Sequence, residues 1–378
     1  MIAKKIPFFQ HELGHEELNE IRKVFDGTIL TTGDTVREFE RLFSNYLNCR
    51  HTLGVNSCTG ALHLSLVALG IGPGDEVITT PLTFVATATA IIESGATPVF
   101  IDVESDTGNI DVTRIESAIT HRTKAIMPVH LYGLMCDMVM IKKIADQYDL
   151  AIIEDCAHCI EGERDGIKPG QLSDTACFSF FATKNITCGE GGAVICNDDA
   201  LYDRLKVLSL HGMNKTSIDR HKEGYSHWDV KELGWKYNLS NIQAAILIPQ
   251  IKNIARQCDR RHALSEYYKK ILSKINEIKY PGNRINTTHA HHLFTVWIDE
   301  KKRDKVIQEM IKADIGVVVN YRAIHLLTFF SKSFGYKKGD FYNAENIGNR
   351  TISLPFYPSM SKEYAKHVVD TLQVIIDE

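Results

Sequence analysis

From residue 51 onwards the sequence alternates short β-branched runs with longer stretches of helical pattern. Seven runs are candidates for strands: HTLGV (51–55), EVITT (76–80), TPVFIDV (97–103), KAIMPVH (124–130), LAIIED (150–155), ACFSFF (176–181) and GAVICN (192–197). Strands that alternate with helices form βαβ units, in which a parallel sheet is covered by helices on both faces. The pattern therefore predicts an α/β fold with a mostly parallel, seven-stranded sheet.

The C-terminal part of the chain follows a different order. A polar stretch at 211–236 separates it from the strand series, and so long a connection in a compact protein indicates a functional or flexible segment. Helical patterning then resumes, and Pro249 is expected to kink or break it. Strand candidates at 293–298 and 316–320 are mixed with helices, the last of which covers 362–376. This mixture predicts an α+β domain.

Length and composition limit the class of protein. The 378 residues, of which 44% are hydrophobic and 24% charged, suit a large domain (1–240) and a smaller C-terminal one (241–378). A net charge of −4 argues against nucleic-acid binding through bulk positive charge. The sequence shows no apolar run of roughly 20 residues and no secretion signal, so we expect a cytoplasmic protein that does not bind a membrane.

The nine cysteines do not form a disulfide framework. Cys156 and Cys159 make one C-x-x-C, which could be a redox pair or half of a zinc site. The alternative is two reduced structural thiols. Because no second C-x-x-C is present, we favour structural thiols and expect no metal site.

Two ionisable residues follow predicted strands. Asp155 ends the run LAIIED, at the carboxyl end of a strand, where open α/β sheets bind ligands; it could also cap the next segment. Lys184 follows FSFFAT and precedes the glycine-rich turn NITCGEGG. A buried lysine amine has a lowered pKa and attacks carbonyl groups, whereas an exposed turn lysine would have no such role.

A third segment, NSCTGALH (56–63), follows a strand and opens a helix. Small hydroxyl residues and glycine at a helix N-terminus leave backbone N–H groups free for a phosphate, although an ordinary cap has the same composition. Ser179 could add a hydroxyl, and Phe84 could provide a flat apolar surface for a ring. Together with Asp155 and Lys184, these parts fit pyridoxal phosphate, a phosphorylated aldehyde that forms an imine with lysine.

At these residues the chain resembles the DegT/DnrJ/EryC1/StrS family of sugar aminotransferases, which are fold-type-I pyridoxal phosphate enzymes. The resemblance extends nearly from end to end and is most specific around Lys184. The matching segments are LTTGDTVREFE (30–40), 56–91, EDCAH (154–158), SDTACFSFFATKNITCGEGGAV (173–194), GWKYNLSNIQAAI (234–246) and ISLPFYPSM (352–360).

The resemblance implies a role for each cofactor-binding residue. Lys184 would hold the cofactor covalently and then move a proton between substrate carbon and cofactor carbon, while Asp155 would keep the pyridine nitrogen protonated. The other implied contacts are Cys58, Thr59, Gly60 and Ser179 at the phosphate, Phe84 and His158 at the ring, and Asn238, or alternatively Lys236, at the phosphate of a partner subunit. The family resemblance thus implies a homodimer with shared active sites.

The substrate side is expected in the C-terminal domain. The family's His-Tyr-x-Pro-x-His pattern reads NYRAIH here (320–325), so two of its positions differ. We expect Tyr321, Arg322 and His325 to contact the substrate; the alternative is a packed strand end.

The resemblance implies amino transfer from glutamate to a keto-6-deoxy sugar linked to dTDP, UDP or GDP, for a cell-surface polysaccharide such as O-antigen. Lysine at position 184, rather than histidine, points to transamination instead of dehydration, and His158 favours C4 over C3 amination. The stretch 211–236 is expected to help close over the nucleotide. Two alternatives remain: a pyridoxal phosphate enzyme acting on amino acids, and a non-catalytic regulator that binds a sugar or the cofactor.

Overall fold

The computed structural model describes residues 5–213 and 227–378. Half of the stretch predicted to close over a nucleotide, residues 214–226 of 211–236, therefore lies outside the described residues. The strands in chain order are β1 His51–Val55, β2 Glu76–Thr79, β3 Thr97–Phe100, β4 Thr123–Ile126, β5 Ala151–Asp155, β6 Glu163–Arg164, β7 Thr175–Ser179, β8 Gly192–Cys196, β9 Thr287–Thr288, β10 Phe294–Trp297 and β11 Thr351–Leu354.

The helices alternate with these strands in the first half of the chain and dominate the second half. They are α1 His15–Phe25, α2 Asp34–Leu47, α3 Cys58–Ala68, α4 Ala86–Glu93, α5 Ile115–Ala118, α6 Met138–Tyr148, α7 Asp199–Ser209, α8 Asn241–Lys252, α9 Ile254–Leu272, α10 Glu300–Lys312, α11 Thr328–Phe334, α12 Tyr342–Arg350 and α13 Lys362–Asp377. Helices α1 and α2 precede residue 51, where the alternating pattern begins, and that pattern did not predict them.

The central sheet has seven strands in the order β1-β8-β7-β5-β4-β2-β3. Strand β8 pairs antiparallel with both β1 and β7, while the other pairings are parallel. The prediction of a mostly parallel seven-stranded sheet is therefore confirmed. Because six strands run the same way, their carboxyl ends meet at one edge, where open α/β sheets bind ligands.

Apolar side chains cover both faces of this sheet. One buried cluster joins helices α3 and α7 to the sheet, and a second joins α2 and α8 to the opposite face. In the second cluster the ring of Phe43 meets that of Phe178 edge to face, with centroids 5.0 Å apart. Burial on both faces explains why the strands read as continuous apolar runs rather than alternating ones.

A separate core forms in the C-terminal part of the chain. It packs α9, α10 and α13 on the two-stranded sheet of β10 and β11, with the ring of Tyr268 stacked on that of Phe294 at 4.8 Å. Helix α8, by contrast, packs with α1 and α2 on the larger unit. The division after residue 240 stays a prediction, and this packing favours a boundary nearer Asn253.

Two local expectations have different outcomes. Pro249 lies in the last turn of α8, which ends at Lys252 before α9 begins, so the predicted break is present. The prediction of a strand at 316–320 is wrong. Within this segment only Val318 pairs with another strand, at Ser353, and the chain then turns toward the site.

In the described ranges, no helix combines the length and apolar composition needed to cross a membrane.

Candidate active site

The candidate site lies at the carboxyl ends of the parallel strands. Asp155 is the last residue of β5, Lys184 lies in the loop after β7, and α3 begins just after β1. Each position follows directly from strand direction, because the side chain after a parallel strand points into the crevice at that edge.

The carboxylate of Asp155 is 4% exposed and is held on both of its oxygens. Oδ2 accepts a hydrogen bond from the hydroxyl of Thr87 at 2.7 Å, and Oδ1 accepts one from the backbone N–H of Ala157 at 3.1 Å. Burial raises the pKa of Asp155, while these two donors and the charge of Lys184 oppose the rise. The carboxylate is thus fixed in direction and ready to pair with a cation.

Burial lowers the pKa of the Lys184 amine to about 8, although the negative charges of Asp155 and the thiolate form of Cys58 would raise it. The backbone N–H of Lys184 donates to the carbonyl of Phe181 at 2.9 Å, which closes a turn directly after β7. An amine with this pKa has a substantial neutral fraction near pH 8, so it can attack a carbonyl carbon.

The N-terminus of α3 forms a cradle of the kind that binds phosphate. The Ser57 side chain caps the helix by accepting the N–H of Gly60 at 3.0 Å, while Cys58 is buried and Thr59 half-buried in the first turn. A Cβ on Gly192 would come 2.5 Å from the backbone carbon of Ser57, so only glycine lets β8 pack this closely. Ser179 pairs in register with Gly192, next to this turn.

The two ring nitrogens of His158 have different roles. Nδ1 accepts the backbone N–H of Tyr132 at 3.2 Å, so it carries no proton. Nε2, 3.0 Å from the Tyr321 hydroxyl oxygen, must then be the protonated nitrogen and donate to it. Burial and the nearby Lys184 hold the pKa of His158 well below its usual range, which agrees with a neutral ring. The hydroxyl hydrogen of Tyr321 is left to donate elsewhere.

The residues predicted on the substrate side are divided by the structure. Tyr321 contacts His158 at the site, and its ring lies 6.0 Å from that of Phe84, which is 56% exposed. Arg322 is exposed. His325 is 0% exposed, with Nε2 3.1 Å from Oε1 of Glu345. That burial corrects the expectation of a substrate contact for His325, because the ring lies inside the fold.

Asn238 lies beside β1 within its own chain. It bridges to Val55, and its side-chain amide donates to the hydroxyl of Thr32 at 2.7 Å. Lys236 is exposed, and its carbonyl accepts the side-chain amide of Asn56 at 3.3 Å. The segment is therefore anchored next to the phosphate cradle, and its reach to a second subunit stays a prediction.

A buried polar network lies behind Lys184, and the sequence pattern did not predict it. Arg261 forms an ion pair with Glu161, with both side chains nearly inaccessible. Asn185 donates to Glu161 at 2.8 Å and to the carbonyl of Ala290 at 2.9 Å, and its oxygen lies 3.3 Å from Nδ1 of His292. Asn185 directly follows the lysine, which is the one signal that could have identified it. The network ties the lysine loop to the C-terminal part of the chain.

The C-x-x-C thiols lie in separate surroundings. Both are buried, and burial raises their pKa well above the usual range. Cys159 donates to the carbonyl of Gly133 at 3.5 Å, and Cys156 lies near His130 and Glu154, a trio of potential metal ligands in the part of the chain that the structure describes. The ring of His130 already accepts a backbone N–H at Nδ1 and lies 2.6 Å from Glu154 at Nε2. These contacts commit His130 and Glu154 to hydrogen bonds within the fold.

The side chains at the sheet edge fit pyridoxal phosphate. A lysine amine with a lowered pKa can bind its aldehyde, a buried carboxylate can pair with its ring nitrogen, and a capped helix N-terminus can take its phosphate. When bound, the cofactor supplies an electron sink for the carbanion that forms next to the nitrogen. The fold and the site thus define a fold-type-I pyridoxal phosphate enzyme.

Comparison with known proteins gives the family. The model of the DegT/DnrJ/EryC1/StrS aminotransferase family matches residues 11–373, and the chain belongs to this family of pyridoxal phosphate-dependent sugar aminotransferases. The chain is 43% identical to the uncharacterized protein MJ1066 of Methanocaldococcus jannaschii over 378 residues, which cover 99% of this chain and 98% of that protein.

Two further proteins are similar over their full length. The spore coat polysaccharide biosynthesis protein SpsC of Bacillus subtilis is 40% identical over 385 residues, covering 100% of this chain and 99% of SpsC. Spr1654 of Streptococcus pneumoniae, solved with PMP and with PLP, superposes with a TM-score of 0.92 at 28% identity; in the PMP form the match covers 100% of this chain and 99% of that one.

Proposed function

We propose that this protein transfers the amino group of glutamate to a keto-6-deoxy sugar linked to dTDP, UDP or GDP. The observation that carries the proposal is the presence of the buried Asp155 and of the Lys184 amine, whose pKa is about 8, at the same edge of the sheet in a chain that matches the family from residue 11 to 373. The product enters a cell-surface polysaccharide, as the name of SpsC suggests for that relative. We place the reaction in the cytoplasm, where nucleotide sugars are made.

Each residue at the site has a proposed role in the reaction. The Lys184 amine would take a proton from the reacting carbon and return it, because its lowered pKa leaves a neutral fraction that can act as a base. Asp155 would keep the ring nitrogen protonated. Cys58, Thr59, Gly60 and Ser179 would hold the phosphate, Phe84 would stack on the ring, and His158, whose Nε2 donates to Tyr321, would contact the hydroxyl side of the ring. We favour amination at C4.

Incubation with glutamate and a panel of 3-keto and 4-keto sugar nucleotides tests the substrate. Mass spectrometry of the products should show the gain of an amine in place of a carbonyl oxygen for one sugar, with 2-oxoglutarate formed in equal amount. The Lys184→Ala protein is the control. Decarboxylation or elimination of amino acids without any amino sugar would refute the proposal, as would a biological role that survives Lys184→Ala.

We also propose a homodimer in which Asn238 reaches the cofactor phosphate of the partner subunit. The test mixes Lys184→Ala, which lacks the reactive amine, with Asn238→Ala, which is expected to retain the cofactor only weakly. If sites are shared, a mixed dimer has one site with both defects and one site with neither. Random mixing should then restore about a quarter of wild-type activity. Activity that stays at the level of the unmixed variants would refute shared sites.

A further inference from the structure

Tyr132 lies in the loop between β4 and α6, at a point where distant segments of the chain meet. Its side chain is 2% exposed and belongs to a buried apolar cluster that contains Leu82 of the larger unit together with Trp297 and Ala323 of the C-terminal part. No motif and no family resemblance assigned this residue a role. Because its ring is packed between the two parts of the chain, its polar atoms are fixed in direction.

Each polar group of Tyr132 takes part in a hydrogen bond. Its backbone N–H donates to Nδ1 of His158 at 3.2 Å, and its carbonyl accepts the backbone N–H of His292 at 3.0 Å. Its side-chain hydroxyl donates to the carbonyl of Asn320 at 2.6 Å. One residue therefore binds three segments that are far apart in the sequence.

Two of these segments meet again in the hydrogen bond between His158 and Tyr321. Because Nδ1 of His158 accepts the N–H of Tyr132, Nε2 carries the hydrogen and donates to the Tyr321 hydroxyl oxygen, 3.0 Å away. Asn320, whose carbonyl accepts the Tyr132 hydroxyl, directly precedes Tyr321. The result is a closed cycle of three hydrogen bonds, and Tyr132 donates two of them.

The backbone at Tyr132 is strained and closely enclosed. Its φ is 59°, in the left-handed region that costs free energy for a residue with a side chain. At the next residue, Gly133, a Cβ would come 2.9 Å from the backbone nitrogen of His291 and 3.1 Å from the carbonyl oxygen of His158, so only glycine allows this approach. Such strain persists where the surrounding contacts determine the conformation, and it is concentrated at functional sites.

The Tyr321 hydroxyl is the part of this cycle that lies at the site. Its oxygen accepts from His158, so its hydrogen is left to donate to another group. The Tyr321 ring centroid lies 6.0 Å from that of Phe84, the residue predicted to stack on the cofactor. A hydroxyl that is already held in direction donates to a substrate without reorganisation during the reaction.

From this geometry we propose that Tyr132 is a positioning residue: it aligns His158 with Tyr321 and thereby directs the Tyr321 hydroxyl at the substrate. Tyr132 acts through these two residues, because its own polar groups are used inside the fold. The role of Tyr321 toward a sugar rests on the proposed function. The alignment itself is a property of the cofactor-free protein.

Hydrogen exchange at the His158 ring tests the alignment without substrate or cofactor. With ¹⁵N-labelled histidine rings, two-bond ¹H–¹⁵N spectra of the cofactor-free protein should show His158 as the neutral Nε2–H tautomer from pH 6 to pH 9. The Nε2 hydrogen should exchange slowly with water, because Tyr321 accepts it. His158→Gln identifies the signal by its loss. An Nδ1–H tautomer or a protonated ring in wild type overturns the proposal.

Tyr132→Phe keeps the packed ring and the backbone N–H but removes the hydroxyl that binds Asn320. The His158 tautomer should therefore stay the same, while exchange of its Nε2 hydrogen should become at least about tenfold faster and approach the rate in Tyr321→Phe. Exchange at the wild-type rate in Tyr132→Phe overturns the proposal.

Tyr268→Phe is the matched control. Tyr268 is also buried, and its hydroxyl likewise donates to a backbone carbonyl, that of Pro355 at 2.9 Å, but it lies in the separate C-terminal core. This variant should exchange at the wild-type rate. Faster exchange in it, equal to that in Tyr132→Phe, would assign the effect to general loss of stability and overturn the proposal.

Turnover with the sugar gives a second comparison. Tyr132→Phe should lower kcat/KM about tenfold, and adding it to Tyr321→Phe should cause no further loss, because both changes remove the same contact. A loss in the double variant equal to the product of the two single losses overturns the proposal, as does a wild-type kcat/KM in Tyr132→Phe. Absence of activity toward every sugar would refute the proposed function, and the exchange rates would still decide the alignment.

Discussion

The cofactor side and the substrate side of the site differ in how firmly the chain holds them. On the cofactor side, Asp155 and Lys184 stand at the ends of central strands, and neighbouring elements supply partners for the carboxylate. On the substrate side, Arg322 is exposed and Tyr321 is half-buried. The reactive groups are therefore positioned within one chain, whereas Arg322, a residue that would help to select a sugar, stands at the open surface.

This difference follows from what each side must do. Proton transfer and charge pairing require groups fixed before the reaction, because reorientation during the reaction raises the barrier. A large, polar nucleotide sugar must be recognised at an accessible surface, and its binding displaces water from that surface. Changes on the cofactor side should consequently reduce turnover, and changes on the substrate side should alter affinity.

The largest effect is expected from Lys184→Ala. Loss of the amine removes both the covalent attachment and the base, so turnover should fall at least about a thousandfold. Borohydride reduction followed by intact-mass measurement should show cofactor bound covalently to wild type and not to the variant. Covalent attachment that persists in the variant would transfer the role to another lysine.

Asp155→Asn comes next. The amide cannot hold the ring nitrogen protonated, so the variant should retain some cofactor but lose about a hundredfold or more in kcat. Thr87→Val, which removes only the 2.7 Å hydrogen bond to Oδ2, should cost about tenfold and serves as the graded control. Wild-type turnover in Asp155→Asn would show that the reaction does not need Asp155 to pair with the ring nitrogen.

Capture of pyridoxal phosphate by the cofactor-free protein should depend on pH through Lys184. Only the neutral amine attacks, so below the pKa of about 8 the capture rate should rise about tenfold per pH unit, then level off above pH 8. Stopped-flow absorbance gives the profile. A rate that keeps rising to pH 10 would mean that the amine is not desolvated.

The lowered pKa of Lys184 also makes the stability of the cofactor-free protein depend on pH. Burial lowers the pKa of Lys184 in the folded state, so between about pH 8 and the ordinary lysine value the unfolded chain binds more protons. Stability of the cofactor-free protein should therefore gain a contribution as pH rises through this window. Lys184→Met, which carries no charge, should remove that contribution; urea unfolding at pH 7 and pH 10 measures it.

The smallest effects on activity should come from His325, in contrast to Arg322. Truncation of His325 to Ala leaves Glu345 without its ring partner inside the fold, so the free energy of unfolding should fall by about 2 kcal/mol while KM for the sugar stays near wild type. Arg322→Ala, at an exposed position, should leave stability unchanged and raise that KM by up to about tenfold. A KM change in His325→Ala alone would restore its predicted substrate role.

The sequence predicted the parts of the site that depend on strand direction. Asp155 and Lys184 follow apolar runs, and the carboxyl ends of parallel strands share an edge, so their meeting could be anticipated. Thr87 and His292 could not be found this way. Thr87 lies inside a small-residue helix and His292 in a histidine-rich segment more than 100 residues after Lys184, and only packing brings them to the site.

The placement of the second half of the chain was predicted less well. Residues 320–325 suggested a substrate-facing segment, but the structure exposes Arg322, brings Tyr321 to His158 and buries His325 against Glu345. In a regular strand, side chains alternate between the two faces, so their directions can be predicted. In the run 316–320 only Val318 is paired, with Ser353, and the directions of the side chains that follow could not be predicted from the sequence.

By itself, the order of apolar runs determined the sheet, and the residues that end those runs determined the cofactor, because strand period and chain direction are local properties. Tertiary structure alone decided the pKa of Lys184, the proton position on His158, and the ion pair of Arg261 with Glu161. Those properties depend on desolvation and on partners from distant parts of the chain, which act only when the folded protein excludes water from the space between them.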